Sequence, residues 1–340
     1  MRLTELSGQG GCSAKIGQED LAAVFAQLVS PAAGPLLVSA EGMDDAAVYQ
    51  VAENLALVAT TDFFPPPVDD PRDYGAIATA NALSDVYAMG GTPLLLLNLV
   101  GFDLAALGPE LLRQILEGGG EVAREAGCSV AGGHSIRSQE PIFGCAVVGM
   151  VDPARMVTNA RARPGDLLLL TKPLGTGVVL NAHKQQQAPP AILAEAVAAM
   201  RRLNRDAAAA MVAAGAHAAT DVTGFGLLGH SQNLARASGV NLRIWACRLP
   251  TLPGAVDLIQ KGLVPGGSRR NLELATSRGA IGPELDPVLS QLACDAQTSG
   301  GLLISVSPEG AAALRAAGVG AVEVGEVLPP AAGRPEVELI

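Results

Sequence analysis

Four aspartates set in apolar sequence constrain this chain more than any other feature. They are Asp45 in Gly42-Met43-Asp44-Asp45-Ala46-Ala47-Val48, Asp62 in Thr60-Thr61-Asp62-Phe63-Phe64, Asp85 in the run Asn81 to Gly91, and Asp221 in Ala219-Thr220-Asp221-Val222. Surface acids usually sit among other charges, whereas these stand beside small or apolar residues. Carboxylates presented from strand ends and a helix make a cage for a hard divalent cation, which prefers oxygen ligands. Such a cage handles nucleotide phosphates through Mg²⁺.

The rest of the chain must bring these positions together, and 340 residues favour two domains. At 49% hydrophobic and 16% charged residues there is enough apolar sequence for a core, and with aromatics at 3% it must be built from Ala, Leu and Val. A formal charge of -10 argues against nucleic acid or an anionic membrane as partner. An acidic protein that takes an anionic substrate needs bridging cations or local basic groups. Mean hydropathy is positive, but the most apolar run, Leu94–Val100, is broken by Asn98 and falls far short of the roughly 20 residues that span a bilayer. No signal peptide is visible at the N-terminus. The five cysteines, Cys12, Cys128, Cys145, Cys247 and Cys294, form no Cys-x-x-Cys pair, which fits a reducing cytoplasm.

In chain order, residues 1–17 are rich in glycine and should be mobile. Cys12 and Lys15 lie there; the lysine either lowers the thiol pKa or the cysteine is incidental. Periodicity predicts a helix over Gln18–Val29, strands over Ala46–Val51 and Leu55–Thr61 joined at Glu53-Asn54, and a stop at Pro65–Pro67. A helix follows over Tyr74–Met89, stopped by Gly90-Gly91, with Asn81 and Asp85 on one face. Next come a strand over Leu94–Gly101, a helix over Pro109–Ala126, and a short strand over Cys128–Ala131. That strand runs into Gly132-Gly133-His134-Ser135, which is either a tight turn or a close backbone approach to an anion. Pro141–Val151 is a strand, and the texture changes near Asp152–Pro164, where the domain boundary is placed. Beyond it the sequence predicts a strand over Gly165–Lys172, a helix opened at Leu174-Gly175-Thr176-Gly177, and an alanine-rich helix over Ile192–Ala214. Asp221 ends a short strand. Gly224, Gly226 and Gly229 match a dinucleotide fingerprint formally, but the acid expected about 20 residues on is missing, so they are read as a helix start. Glycine-rich turns are expected at Pro265–Ser268 and Gln297–Gly301, last strands over Leu302–Val306 and Ala321–Val327, and a tail after them. Walker, His-Glu-x-x-His and Gly-x-Ser-x-Gly motifs are absent from the sequence. His183, His217 and His230 read as surface or core residues.

Gly11-Cys12 with Lys15, Asp44–Val48, Thr60–Phe64, Asn81–Gly91, Gly132–Ser135, Thr171–Gly175, Asp221–Gly226 and Gln297–Gly301 together resemble the selenophosphate synthetase family of the aminoimidazole ribonucleotide synthetase-like superfamily. One departure is visible: many members carry a second cysteine, or selenocysteine and glycine, where this chain has Ser13 and Ala14. The resemblance implies a two-domain α+β fold whose N-terminal domains pair into a β-barrel dimer. It divides the chain into a mobile arm (1–17), an ATP- and metal-binding domain (18–155) and a C-terminal domain (156–340). It implies conversion of ATP, selenide and water to selenophosphate, AMP and phosphate in the cytoplasm, with Mg²⁺ and a monovalent cation such as K⁺. Carried over by position, Asp45, Asp85 and Asp221 bind magnesium. Lys15, Gly42, Met43, Asp44, Asp62 and Asp85 contact ATP, joined by Gly133, His134 and Ser135 from the partner subunit. Cys12 and Lys15 are catalytic. The rival readings are another ATP enzyme of the superfamily, which has no need of Cys12, and a non-catalytic selenium carrier, which has no need of the aspartates.

Overall fold

The computed structural model describes residues 2–15, 24, 34–39 and 42–340. The helix expected over Gln18–Val29 lies, apart from Val24, outside the described residues. Among the described residues two six-stranded sheets form, one in each half of the chain. The first comprises β1 (Leu36–Val38), β2 (Ala47–Ala52), β3 (Leu55–Phe64), β4 (Thr92–Gly101), β5 (Ser129–Ile136) and β6 (Ile142–Val151). Its order is β1-β2-β3-β6-β4-β5, antiparallel except for the β4–β5 edge. The second comprises β7 (Leu167–Leu170), β8 (Ala218–Asp221), β9 (Asn241–Ile244), β10 (Leu302–Val306), β11 (Val322–Leu328) and β12 (Val337–Leu339), in the order β12-β9-β11-β7-β10-β8.

Helix α1 (Pro71–Ala88) joins the halves. Asp70 caps it by accepting from the Asp73 amide at 2.9 Å, and Pro71 fills the first position, where no donor is needed. Small and apolar residues dominate its sequence, and all of its residues from Tyr74 to Ala88 except Asp85 are buried; a helix with apolar residues on every side belongs inside. Its polar residues Asn81, Ser84 and Asp85 face the seam between the halves. It packs on β3 and β6 of its own sheet and also touches β8 across the seam. Helix α2 (Pro109–Glu125) crosses it where glycines remove side chains: a Cβ on Gly75 would stand 1.8 Å from the Ile115 carbonyl oxygen, and one on Gly118 2.0 Å from that of Arg72.

Several expectations are corrected. β3 runs on to Phe64 because Thr60, Asp62 and Phe64 keep the inward alternation of a half-buried strand. Asp62 is therefore inside the strand, facing α1. The glycines at 132 and 133 do not make a turn: β5 continues through His134 and Ser135 as an exposed edge strand. Gly133 is required there by contact, since a Cβ would lie 2.1 Å from the Asn98 carbonyl oxygen on β4. The helix expected over Ile192–Ala214 is two, α4 (Pro190–Arg201) and α5 (Arg205–Ala213). Buried Asn204 breaks it by donating to Ser84 Oγ and the Gly300 carbonyl, both at 2.9 Å. Pro265–Ser268 is the start of a helix, Gly266–Ser277, and the tail contributes β12 beside β9. The helix opened at Gly175 is α3 (Thr176–Lys184), and that following Gly224 is α6 (Gly226–Ser238).

Candidate active site

The four aspartates converge at the seam between the sheets. Asp45 precedes β2, Asp62 points inward from β3, Asp85 ends the inner face of α1 and Asp221 terminates β8. Three are placed by a neighbour: Thr220 Oγ1 donates to Asp45 Oδ1 at 2.9 Å, Thr60 Oγ1 to Asp85 Oδ2 at 2.6 Å, and Asn81 Nδ2 to Asp62 Oδ2 at 2.6 Å. Burial, and then the charge of Asp221, push Asp45 and Asp85 well above the usual carboxylate range. Burial pushes Asp221 up to about 6, offset in part by Lys15 and a Ser84 hydrogen bond. Asp45 Oδ2 and Asp221 Oδ2 are buried without a hydrogen-bond partner among the described residues. Hard oxygen donors, crowded and unpartnered, are the donor set that a divalent cation completes.

A ring nitrogen of His230 joins the Asp45 and Asp221 oxygens within 4.8 Å. Its Nε2, however, accepts the Thr223 amide at 3.1 Å, so that lone pair is committed. Burial holds the ring neutral, pushing its pKa down to about 3. His230 thus supports the loop after Asp221, as a core residue.

The N-terminal segment is seated on this cleft. Cys12 is only 1% exposed, its amide donates to Thr298 Oγ1 at 3.1 Å, and its thiol donates to Asn81 Oδ1 at 3.3 Å. Lys15 Nζ pairs with Asp62 Oδ2 at 2.9 Å. Burial opposes the Lys15 charge, but Asp62, then Cys12, Asp85 and Asp221, hold it well above its usual value. The thiol departs from expectation. Burial outweighs the nearby lysine and pushes Cys12 up to about 12, so in this seat it is a protonated donor. The glycines also act differently from a simple hinge. A Cβ on Gly10 would come 2.3 Å from the Pro66 carbonyl oxygen and one on Gly11, at φ +60°, 2.4 Å from Thr298 Oγ1. They let the backbone lie flat against both halves.

Asn81 is the residue that sequence reasoning left without a role. Its Nδ2 holds Asp62, while its Oδ1 takes both the Cys12 thiol and the Ser299 amide, the latter at 2.9 Å. The signal was its position one turn before Asp85. Ser299 itself has a left-handed backbone, φ +50°, uncommon for a residue with a side chain and often found where a site is held in strain. The segment Gly42-Met43-Asp44 borders the cleft and is tied to the second half of the chain. Asn159 Nδ2 donates to the Gly42 and Met43 carbonyls at 3.2 and 3.1 Å, and its amide donates to Asp44 Oδ1 at 2.9 Å. One oxygen of the Asp44 carboxylate is thereby tied to the second half of the chain. Gly133, His134 and Ser135 are not brought to the aspartates within the chain: their strand is separated from β3 by β6 and β4.

The fold and this carboxylate seam define an AIR synthase related protein: the family model for the N-terminal domain of those proteins matches residues 43–151, and that for the C-terminal domain residues 163–338. Among solved structures, the one described as "AaThiL complexed with AMPPCP and TMP" superposes with a TM-score of 0.69 over 100% of this chain and 95% of that one, at 21% identity. The hydrogenase maturation protein HypE superposes with a TM-score of 0.61 over 86% of both chains, at 20% identity. At that identity the likeness is one of fold.

Sequence relatives narrow the class. A "Selenide, water dikinase" of Geobacter sp. (strain M21) is 46% identical over 341 residues, covering 99% of this chain and 98% of that protein. Those of Caldanaerobacter subterraneus subsp. tengcongensis and Burkholderia ambifaria are 47% and 49% identical over 309 residues, each covering 91% of this chain and 89% and 87% of the relatives. The chain belongs to the selenide, water dikinase family.

Proposed function

We propose that this chain makes selenophosphate from selenide, ATP and water, releasing AMP and phosphate, with a segment bearing Cys12 and Lys15 closing over a cation-binding aspartate site. The observation that carries the reading is the seated segment: one thiol and one ammonium reach into a cluster of mutually repelling carboxylates. A carrier of selenium has no use for the aspartates, and a kinase of the same fold has no use for the thiol.

Asp45, Asp85 and Asp221 would hold Mg²⁺; the orphaned oxygens of Asp45 and Asp221, and the hard donor chemistry of all three, fit it. When bound, the cation neutralises triphosphate charge that these carboxylates alone would repel. The protein's own groups do the rest. Lys15 exchanges Asp62 for a phosphate oxygen, and Asp62 is left to Asn81 and the nucleotide. The backbone of Gly42, Met43 and Asp44 lines the nucleotide side, fixed by Asn159. The seated segment keeps bulk solvent from the site, leaving room for the one water the reaction consumes, and keeps a proton on Cys12 Sγ until the reaction draws on it. Selenide is a strong nucleophile that dissolved oxygen consumes readily, so its attack benefits from a closed site.

Homodimer formation belongs to the same proposal. The outer face of the first sheet exposes Tyr49, Leu57, Phe63, Leu97 and Met150, an apolar patch of the kind that marks an interaction surface. Pairing of these faces, with Gly133, His134 and Ser135 of the partner subunit completing the nucleotide site, accounts for that surface and for the exposed edge of β5. Five unpaired cysteines suit a reducing, cytoplasmic setting.

Phosphorus NMR of the protein with ATP, Mg²⁺ and selenide under anaerobic conditions tests the reading. A selenophosphate signal accompanied by AMP is expected, and only with selenide. ATP left intact, or ADP as the sole nucleotide product, would refute it. Cys12→Ser and Lys15→Ala should each lower selenide-dependent AMP formation about a hundredfold or more; wild-type rates in both would remove the segment from the chemistry.

A further inference from the structure

The seat of the N-terminal segment is fastened at its far end by groups that do not touch the aspartate cluster. Asp69, just before α1, takes three donors from the segment: Arg2 Nε at 2.8 Å, the Thr4 amide at 2.9 Å and Thr4 Oγ1 at 2.7 Å. Burial alone would raise its pKa, but those donors hold its carboxyl below the usual range. The Lys184 ammonium, at the end of α3, donates to the Ser7 and Gly8 carbonyls at 2.6 and 2.7 Å. In return the Arg2 guanidinium spans the carbonyls of His183 and Lys184 at 2.9 and 3.2 Å, at the negative end of that helix. His183 Nε2 lies 3.0 Å from Asp69 Oδ2. Leu3 is buried between these polar ties.

We propose that Asp69 and Lys184 form a clasp that seats residues 2–15 over the site, and that they are positioning residues for Cys12. The arrangement rests on the reading that this segment serves the reaction, but it makes a claim of its own. One tie comes from each half of the chain, Asp69 beside α1 and Lys184 on α3. Both hold the stretch before Gly8, and the glycines at 8, 10 and 11 separate that stretch from the thiol. Charge-assisted hydrogen bonds are stronger than neutral ones, so the clasp concentrates the hold on the segment at a point where its release leaves the aspartates undisturbed. Opening the clasp swings the segment as a unit; closing it delivers Cys12 to Asn81 and Lys15 to Asp62.

Thiol accessibility reads this directly. In the full-length protein at pH 8, iodoacetamide labelling followed by peptide mass spectrometry should find Cys247, which is exposed, labelled fast and Cys12 slowly. Asp69→Ala and Lys184→Met should each raise the Cys12 labelling rate about tenfold or more, the scale of losing a charge-assisted tie, with Cys247 unchanged. Lys184→Arg, which keeps the cation, should retain protection. Selenide-dependent AMP formation should fall in the first two variants and persist in the third. Cys12 protected as in the wild type in both Asp69→Ala and Lys184→Met would overturn the clasp. So would an equal rise at the buried Cys145 and Cys294, because the effect would then be general loosening. Failure of the functional reading looks different: Cys12→Ser would keep full activity while the labelling pattern of the clasp variants still held.

Discussion

Asp221 ends β8 buried, with one carboxylate oxygen unpartnered among the described residues and the charges of Asp45 and Asp62 close by. Such a charge is kept for function at the expense of stability. Asp221→Asn should therefore raise the melting temperature of metal-free protein by ~2 °C, the response of a chain this size to about 1 kcal/mol, while abolishing Mg²⁺-dependent ATP binding. A thermal melt in chelator and a calorimetric titration with Mg-ATP check the two halves; unchanged affinity would remove Asp221 from the ligand set. At this scale the sequence was informative where a residue's own neighbours betray it. Aspartates among Ala, Val and Phe are legible because burial of an unpaired carboxylate is unfavourable without a purpose. Asn81, Thr298 and Asn159 were not, because their tasks are set by partners 19 to 286 positions away. Of the two readings of Cys12, a thiol lowered by Lys15 does not hold in this seat for the same reason: lysine spacing is local, whereas burial, which raises the pKa, is a property of the seated fold.

At the scale of elements, periodicity located most strands and helices, and the misses have common causes. Asn204 interrupts an alanine-rich stretch because its amide is needed by Ser84 and Gly300, which no helix propensity encodes. Gly132 and Gly133 looked like turn residues, yet at Gly133 the requirement is proximity to β4. The crossing of α1 and α2 shows the same logic among helices. Three consecutive glycines, Gly118 to Gly120, sit in the middle of α2 despite their unfavourable helix propensity, because α1 passes against the first two. Gly118→Ala gains intrinsic helicity but drives a methyl into the Arg72 backbone, which cannot rotate away. It should lose about 1–3 kcal/mol, the range of overpacking, whereas Gly120→Ala, with open space around it, should be neutral or slightly stabilising. Urea denaturation of the two variants separates contact from propensity: equal midpoints would mean that the helices do not meet there.

Across the whole molecule, the two halves are joined by buried polar ties rather than by a flexible hinge, and Lys172 lies at their centre. It follows β7 and is almost wholly buried. Its Nζ donates to the Arg202 carbonyl at 2.6 Å and the Ser299 carbonyl at 2.9 Å. These are the segments that reach across to Ser84 and Asn81 on α1. A neutral amine has two hydrogens, enough for both carbonyls, and burial followed by the Arg202 charge pushes its pKa down from 10.5 to about 7. Between those values the unfolded chain binds a proton that the folded chain does not, so stability rises with pH across the window and the full penalty applies below about 7. Between pH 7 and 9 the gain should approach roughly 2 kcal/mol, since each pH unit contributes at most ~1.4 kcal/mol. Above 9 the Cys12 thiol, raised from 9.0 to about 12, acts in the opposite sense, because its deprotonation is easier in the unfolded chain. Lys172→Met fills the same space without the titrating group. Urea midpoints measured at pH 7, 8 and 9 should therefore climb in the wild type and stay flatter in the variant, after the shared slope of the remaining groups is subtracted. Parallel slopes would show that Lys172 keeps its proton in the folded protein, and that the seam is held by a buried charge instead of a neutral amine.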